Sequence, residues 1–258
     1  MAIFKEKSNF KLYKGDCNRQ LMKLNEKSVD LIFADPPYLL SNDGITCSNG
    51  RMVSVNKGEW DKSNGFKEDV KFHKKWLKSC DRVLKDEGSI WISGTYHCIH
   101  QITYILLEMG YYIINEVSWF KPNAAPNMGC RCFTASHETL IWAKKTKKFR
   151  HTFNYELMKE MNDGKQMRSM WLIPTTPKKE KMHGKHPTQK PLEVLKRVIL
   201  SSSNEGDVIL DPFVGSGTTG VAALMNNRRF IGIDKEKEFL ELTYRRLTDE
   251  EINNGNKK

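Results

Sequence analysis

The chain has 258 residues, enough for one large domain or two small ones with a sizeable core. Lys and Arg outnumber Asp and Glu by 42 to 31, and this net charge of +11 favours a polyanionic partner. No run of about 18 apolar residues and no leader-like N-terminus occurs, so membrane insertion and export are not expected and we predict a cytoplasmic protein. The six cysteines include no CxxC pair and therefore predict reduced thiols and no zinc site.

Seven apolar stretches have the length and composition of β-strands, and three other stretches have the spacing of amphipathic helices. Strands that alternate with helices predict a mostly parallel sheet in an α/β fold. In chain order, we predict strands at residues 10–16, 29–35, 88–94, 111–121, 137–145, 207–211 and 229–235, and helices at residues 67–84, 192–200 and 239–247.

Two long stretches interrupt this alternation. Residues 39–66 are rich in Ser, Asn and Gly with little periodicity, and residues 146–185 are basic. Long irregular segments inside a compact domain are usually functional or disordered. We therefore predict a single domain over residues 1–258 with two inserts, each a candidate for substrate contact.

The sequence GSGTTG at residues 215–220 has the G-x-G-x-x-G spacing of a nucleotide-binding turn. It follows a predicted strand, and Asp234 ends the next one. Glycines permit a tight turn, a helix start attracts a carboxylate or phosphate, and an acid one strand later can accept ribose hydroxyls. Too few residues follow Asp234 for the further strands of a dinucleotide fold, and no Lys or Arg lies near the turn. A phosphate-free adenosine cofactor therefore fits these residues better than a dinucleotide.

The sequence DPPY ends the predicted strand at residues 29–35. If this strand lies parallel to strand 207–211, its carboxyl end opens onto the same crevice as the glycine turn. Pro36 and Pro37 fix the backbone and lack N–H donors, so a rigid carbonyl and the Asp35 carboxylate can both accept hydrogen bonds from one NH₂ group. Such a grip would aim the nitrogen lone pair of a base at an electrophile, and Tyr38 would give the base a face to stack on.

Three motifs together resemble a known family. DPPY at 35–38, HPTQKP at 186–191 and DPFVGSGTTG at 211–220 resemble the amino-methylating DNA methyltransferases that use S-adenosylmethionine. Their order, with DPPY first and the glycine motif last, resembles the permuted β class. The resemblance implies a three-layer Rossmann-like methyltransferase fold, a target base flipped out of the helix, and in-line methyl transfer without a metal. It also implies DNA as the partner, and the β class often forms homodimers.

The resemblance assigns roles to individual residues. DPPY is the expected catalytic motif, formed by Asp35, Pro36, Pro37 and Tyr38. HPTQKP is expected at the methionine end of the cofactor, where the amine of Lys190 would meet the methionine carboxylate. The expected cofactor contacts are Asp16 at the adenine end, Asp234 at the ribose, and Cys17, Asp35, Thr188, Lys190, Phe213, Gly215, Ser216, Gly217, Thr218 and Thr219.

The target base and the DNA contacts follow from the same resemblance. An Asp before PPY resembles the adenine-N6 enzymes, whereas Ser is commoner there in cytosine-N4 enzymes. Residues 33–62 and 162–171 resemble the second adenine methylase of Dpn-type restriction systems, whose recognition sequence is GATC. This implies a restriction-modification role beside an endonuclease that need not touch the protein, with single-stranded as well as duplex DNA as substrate. Insert 39–66 is then the expected DNA-contacting loop, with Arg51, Lys57 and Lys62 on phosphates, and insert 146–185 the expected target-recognition region.

Four alternatives stay open at this point. Cytosine-N4 methylation needs only a different base in the same pocket. An RNA or translation-factor amide methyltransferase also uses an xPPY motif, although HPTQKP and the basic insert argue against it. A nicotinamide oxidoreductase would explain GSGTTG alone. A nucleic-acid-binding module without catalysis would explain the charge but not the intact motifs.

Overall fold

Strands and helices alternate along most of the chain, as the hydrophobic pattern predicts. The computed structural model describes residues 3–39, 45–48, 51–54, 61–127, 129–184 and 186–255. The strands are β1 (Ile3–Glu6), β2 (Phe10–Lys14), β3 (Val29–Ala34), β4 (Ile45–Ser48), β5 (Arg51–Ser54), β6 (Leu84–Gly94), β7 (Tyr112–Phe120), β8 (His137–Lys144), β9 (Met170–Leu172), β10 (Val208–Asp211) and β11 (Arg229–Asp234). The helices are α1 (Cys17–Leu21), α2 (Phe66–Val83), α3 (Ile99–Glu108), α4 (Tyr155–Glu160), α5 (Leu192–Ser202), α6 (Thr218–Met225) and α7 (Lys237–Gly255), with a 3₁₀ turn at Lys178–Lys181.

The main sheet has the order β1-β2-β11-β10-β3-β6-β8-β7-β9. All seven predicted strands are present, but the described part of this sheet has nine strands, so the predicted number was wrong. The two additional strands, β1 and β9, have four and three residues and lie at the two edges. Both are too short to show a repeating hydrophobic pattern. Most neighbours are parallel, and the antiparallel pairs are β1 with β2, β6 with β8, and β7 with β8.

The strand that ends in DPPY lies beside the strand that precedes the glycine turn. β3 and β10 are parallel, with Leu31 opposite Ile209 and Ile32 opposite Leu210. β3 nevertheless precedes β10 in the chain, so the predicted permuted order is confirmed. Because the two strands are parallel, their carboxyl ends meet at one edge of the sheet.

Helices cover both faces of the sheet and make the predicted three layers. Along β3, Leu31 and Phe33 face one hydrophobic core, while Ile32 and Ala34 face the other. The first core lies against α5, α6 and α7, and the second lies against α2 and α3. A strand buried on both faces is expected to be continuously apolar, as VDLIFA nearly is. Among the described helices, none is both long and apolar enough to cross a bilayer.

The two inserts differ in how far they join the core. In insert 39–66, β4 and β5 form a separate antiparallel ribbon. In insert 146–185, β9 pairs with β7 at the sheet edge. There Trp171 is 5% exposed, and its ring lies 5.9 Å from that of Trp91, which stacks on Trp142 at 4.9 Å. Part of the second insert therefore stabilises the sheet.

Candidate active site

A cavity of about 320 Å³ opens at the carboxyl ends of β2, β11, β10 and β3. This is the edge at which parallel α/β sheets usually bind ligands. The four residues of the DPPY motif line the cavity, and so do all the expected cofactor contacts except Gly217. The structure therefore brings together predicted site residues from five separate parts of the chain.

The glycine turn leads from β10 into α6, and its glycines serve backbone geometry and packing. Gly217 has a φ of 76°, in the left-handed region, and a Cβ there would lie 2.6 Å from Cγ2 of Thr243 in α7. A Cβ on Gly220 would lie 2.6 Å from the ring of Phe230 in β11. Any larger residue would push α6 away from its neighbours. Gly217 therefore shapes the turn from outside the cavity.

Helix α7 holds the turn in place from behind. The Thr243 hydroxyl donates to the carbonyl of Gly215 at 3.0 Å, and the buried Arg246 donates to the carbonyl of Ser216 and to the Thr218 hydroxyl. Lys235 also lines the cavity. No Lys or Arg is close to the turn in the sequence, but Arg246 contacts it in the structure and Lys235 lines the same cavity. Both residues come from later in the chain, so the expectation was wrong for the folded protein. Arg246 is turned towards backbone oxygen, so it fixes the turn.

Two acids lie at the ends of the neighbouring strands β2 and β11. The Asp234 carboxylate accepts hydrogen bonds from the backbone N–H groups of Gly215 and Glu236, both at 2.9 Å. Asp16 caps α1 by accepting from the N–H of Arg19 at 3.2 Å. Burial raises the pKa of Asp234, while these backbone donors oppose the rise. Each carboxylate has four acceptor positions, so both acids retain capacity for ligand hydroxyls or amines.

Aromatic side chains form an apolar wall of the cavity. Phe213, which follows β10, lies 5.3 Å from Trp76 in a perpendicular arrangement and 6.3 Å from Phe72. Phe72 and Phe213 both line the cavity. Cys17 lies in the same lining, and burial raises the pKa of its thiol to about 12. The wall suits a flat, uncharged ring system.

The DPPY motif lies at the centre of a buried ionic cluster. Asp35 accepts from the Tyr38 hydroxyl at 2.8 Å through Oδ1 and from the Lys190 ammonium at 2.5 Å through Oδ2. The Tyr38 hydroxyl also lies 2.8 Å from Oε2 of Glu138 and 2.9 Å from Oγ of Ser93. Burial and the neighbouring carboxylates raise the pKa of Tyr38 well above its ordinary value, so the hydroxyl stays protonated.

Glu138, near the start of β8, completes the cluster. Its Oε1 accepts from the Lys121 ammonium at 2.9 Å, and its Oε2 lies 3.4 Å from the ammonium of Lys190. Burial alone would raise the pKa of Glu138, but the two ammonium groups lower it to about 2. Burial raises the pKa of Asp35, against the opposing charge of Lys190. The two carboxylates and two ammonium groups balance each other in charge.

The first residue of the loop after DPPY, Leu39, is held by a hydrogen bond. Leu39 has a φ of 60°, and its N–H donates to the buried carboxylate of Asp61 at 2.9 Å. Lys62 lines the cavity beside Asp61. Of the other two expected DNA contacts, Lys57 and the side chain of Arg51 lie outside the described residues. Both ends of insert 39–66 therefore reach the cavity.

Sequence reasoning missed several residues that shape the site. Glu138 was missed because β8 is antiparallel to β6, which brings the start of a strand to this edge. The hydrophobic pattern carries no sign of strand direction. Ser93 and Lys121 lie at the carboxyl ends of β6 and β7, and they were missed because they belong to none of the three recognised motifs. Asp211 belongs to the recognised DPFVGSGTTG motif and could have been selected from it; it accepts from the Thr219 hydroxyl at 2.6 Å, and burial raises its pKa to about 7.

The geometry agrees with comparisons to known proteins. A family model described as DNA methylase, N6_N4_Mtase, matches residues 29–245. The chain is 52% identical over 249 residues to the type II methyltransferase M2.DpnII of Streptococcus pneumoniae, covering 96% of this chain and 93% of that protein. It is 50% identical over 238 residues to M2.MboI of Moraxella bovis, covering 92% and 87%.

Solved structures support the same assignment. The crystal structure of an M1.HpyAVI–SAM complex superimposes with a TM-score of 0.69 at 26% identity, covering 92% of this chain and 98% of that chain. The cytosine-N4-specific PvuII DNA methyltransferase shares the fold, with a TM-score of 0.72 at 19% identity and coverage of 93% and 86%. The chain therefore belongs to the N6_N4_Mtase family of DNA methylases.

Proposed function

We propose that this methylase transfers a methyl group from S-adenosylmethionine to N6 of adenine in DNA, with GATC as its recognition sequence. One observation carries the proposal: Asp35 and the glycine turn, on adjacent parallel strands, line the same cavity. A base amino group held at Asp35 would therefore face a cofactor held at the turn. GATC rests on the resemblance of residues 33–62 and 162–171 to the second methylase of Dpn-type systems.

The cavity fits S-adenosylmethionine in chemistry. Asp16 and Asp234 offer carboxylate acceptors for the adenine amine and the ribose hydroxyls, and Phe213 offers an apolar face for the adenine ring. At the turn, Arg246 donates to the carbonyl of Ser216 and to the Thr218 hydroxyl, so these hydrogen bonds hold the turn itself. When bound, the cofactor supplies an electrophilic methyl group on sulfonium sulfur. Thr188 would hold its methionine end together with the cavity-lining residues of the turn, Gly215, Ser216, Thr218 and Thr219.

The protein's part in the reaction is to grip and orient the base. We assign Asp35 and the carbonyl of Pro36 as acceptors for the two N6 hydrogens, which favours a pyramidal nitrogen and directs its lone pair. Pro36 and Pro37 keep these acceptors rigid. Tyr38 is proposed as the stacking face for the flipped base. Asp35 is also the first acceptor for the proton that N6 loses after methylation.

The DNA would bind over the same edge of the sheet. The loop at residues 121–136 joins β7 to β8 there, since Gly94 at the end of β6 pairs with Thr139. Within this loop Phe133 is 98% exposed, and Arg131 is exposed beside it. Exposed aromatic and basic side chains suit stacking on bases and contact with phosphates. Arg51, Lys57 and Lys62 are proposed as further phosphate contacts.

We further propose a cytoplasmic role in a restriction-modification system, in which an endonuclease acts on the same sequence without contacting this protein.

The β class also leads us to propose a homodimer. Sedimentation of the purified protein with and without DNA tests the dimer. A monomer under both conditions would remove that part of the proposal and leave the catalytic part intact.

The function is tested with labelled S-adenosylmethionine and oligonucleotides that contain or lack GATC, as single strands and as duplexes. We expect label only in GATC-containing DNA, recovered as N6-methyladenine after digestion to nucleosides. N4-methylcytosine would overturn the choice of base, and label outside GATC would overturn the recognition sequence. DNA binding without any transfer would favour a non-catalytic nucleic-acid-binding module.

A further inference from the structure

The amino-group site at Asp35 already holds a nitrogen donor from the protein itself. Both Asp35 oxygens accept hydrogen bonds, Oδ1 from Tyr38 and Oδ2 from the Lys190 ammonium. The Lys190 side chain is 7% exposed and that of Asp35 is 16% exposed, so neither is well solvated. In the proposed function, the same carboxylate must accept a hydrogen from the target base. Asp35 keeps acceptor positions but is largely buried, so a base amine that reaches it must approach beside the Lys190 ammonium, and the two donors compete for the same carboxylate.

A buried ammonium cannot leave one carboxylate without finding another acceptor, because an unpaired buried charge is strongly destabilising. Glu138 offers that acceptor, since its Oε2 lies 3.4 Å from Nζ of Lys190. The other oxygen of Glu138 is held by Lys121 at 2.9 Å. Adenine is neutral, so a move of Lys190 from Asp35 to Glu138 keeps the total charge of the cluster unchanged.

We propose that Glu138 is a positioning residue that receives the Lys190 ammonium when the amino group of the target base takes its place on Asp35. This inference rests on the proposed adenine methylation. Lys190 keeps Asp35 paired before the base enters, and Glu138 keeps Lys190 paired afterwards. The Tyr38 hydroxyl touches both carboxylates at 2.8 Å, so it remains hydrogen-bonded throughout the exchange.

Substitution of Glu138 by Gln removes the second acceptor charge while retaining the shape of the side chain. Lys190 should then stay on Asp35 and exclude the base. We expect the KM for GATC duplex to rise roughly tenfold to hundredfold, as for loss of a hydrogen bond to a charged group, while the Kd for S-adenosylmethionine changes by less than about threefold. Glu116→Gln, an exposed residue of the neighbouring strand β7, is the matched control and should change neither constant.

A second substitution separates exchange from a merely structural role. In the double variant Glu138→Gln with Lys190→Met, the competing donor is removed and the cluster is again neutral. We expect its KM for DNA to be at least about threefold lower than that of Glu138→Gln alone, measured at saturating cofactor. A purely structural role predicts that the two losses add. An unchanged KM in Glu138→Gln, or a double variant with a KM no lower than that of Glu138→Gln, would overturn the exchange.

Two further outcomes keep the test decisive. If the wild-type protein transfers no methyl group to DNA, the proposed function fails first; if it does and Glu138→Gln behaves like wild type, only the exchange fails. If Glu138→Gln does not fold, Lys121→Met tests the exchange instead, because it removes the other ammonium group that Glu138 binds. Loss of Lys121 leaves Glu138 to hold Lys190 more strongly, so the KM for DNA should fall by about threefold. A KM that does not fall would overturn the proposal.

Discussion

Substitution of Gly217 by Ala tests whether the glycine turn depends on its packing against α7. Gly217 has a φ of 76°, which costs an L-residue about 1–2 kcal/mol. The new Cβ would also lie 2.6 Å from Cγ2 of Thr243, and such overpacking costs about 1–3 kcal/mol more. Gly206 is the matched control, because its φ is 81° but a Cβ at this position would meet no atom within 4 Å. Gly206→Ala should therefore lose only the cost of the positive φ, about 1–2 kcal/mol, with no overpacking.

The assay is urea unfolding combined with titration of S-adenosylmethionine. We expect Gly217→Ala to lose about 1–3 kcal/mol more free energy of unfolding than Gly206→Ala. Relief of the clash should move the start of α6, so cofactor affinity should fall by about tenfold or more in Gly217→Ala and stay unchanged in Gly206→Ala. Equal stability losses and equal cofactor affinity in the two variants would refute the packing argument.

Two further predictions concern charge and DNA contact. Lys190 and Lys121 outweigh the effect of burial and lower the pKa of Glu138 from 4.5 to about 2. The charge of Glu138 therefore stabilises the fold by about 3 kcal/mol above pH 4.5, and this stabilisation is lost as the pH falls towards 2. The difference in free energy of unfolding between wild type and Glu138→Gln should therefore narrow between pH 4.5 and pH 2. A difference that stays constant with pH would contradict the lowered pKa. Phe133→Ala should weaken DNA binding by about 1–3 kcal/mol in a fluorescence anisotropy titration without changing cofactor affinity, and unchanged DNA affinity would remove Phe133 from the interface.

The main architecture could be predicted because its signals are local. Each of the seven predicted strands is an apolar run with flanking polar residues. The strands that end in DPPY and precede GSGTTG were only assumed to be neighbours, and the structure shows them paired. β1 and β9 were missed since three or four residues carry no period. Strand direction is set by loops and tertiary packing, so the arrival of Glu138 at the site could not be predicted from its own strand.

The site shows the same division between local and distant information. Asp35 and Asp234 come directly after strand signals, and both line the cavity as expected. Lys190 was selected from HPTQKP with the methionine carboxylate as its partner, yet its ammonium contacts Asp35 and Glu138. Arg246 supports the turn from a helix 30 residues beyond Ser216. A motif thus identifies a functional residue more readily than it identifies that residue's partner.

The central claim is that Asp35 grips the target amine while Asp234 binds the cofactor. It is tested most directly by measuring single-turnover methyl transfer to GATC duplex and the Kd for S-adenosylmethionine in Asp35→Ala and Asp234→Ala. We expect Asp35→Ala to retain most cofactor binding and to lose transfer by about a hundredfold or more. Asp234→Ala should instead lose cofactor affinity by about tenfold or more. Full transfer activity in Asp35→Ala would contradict the account.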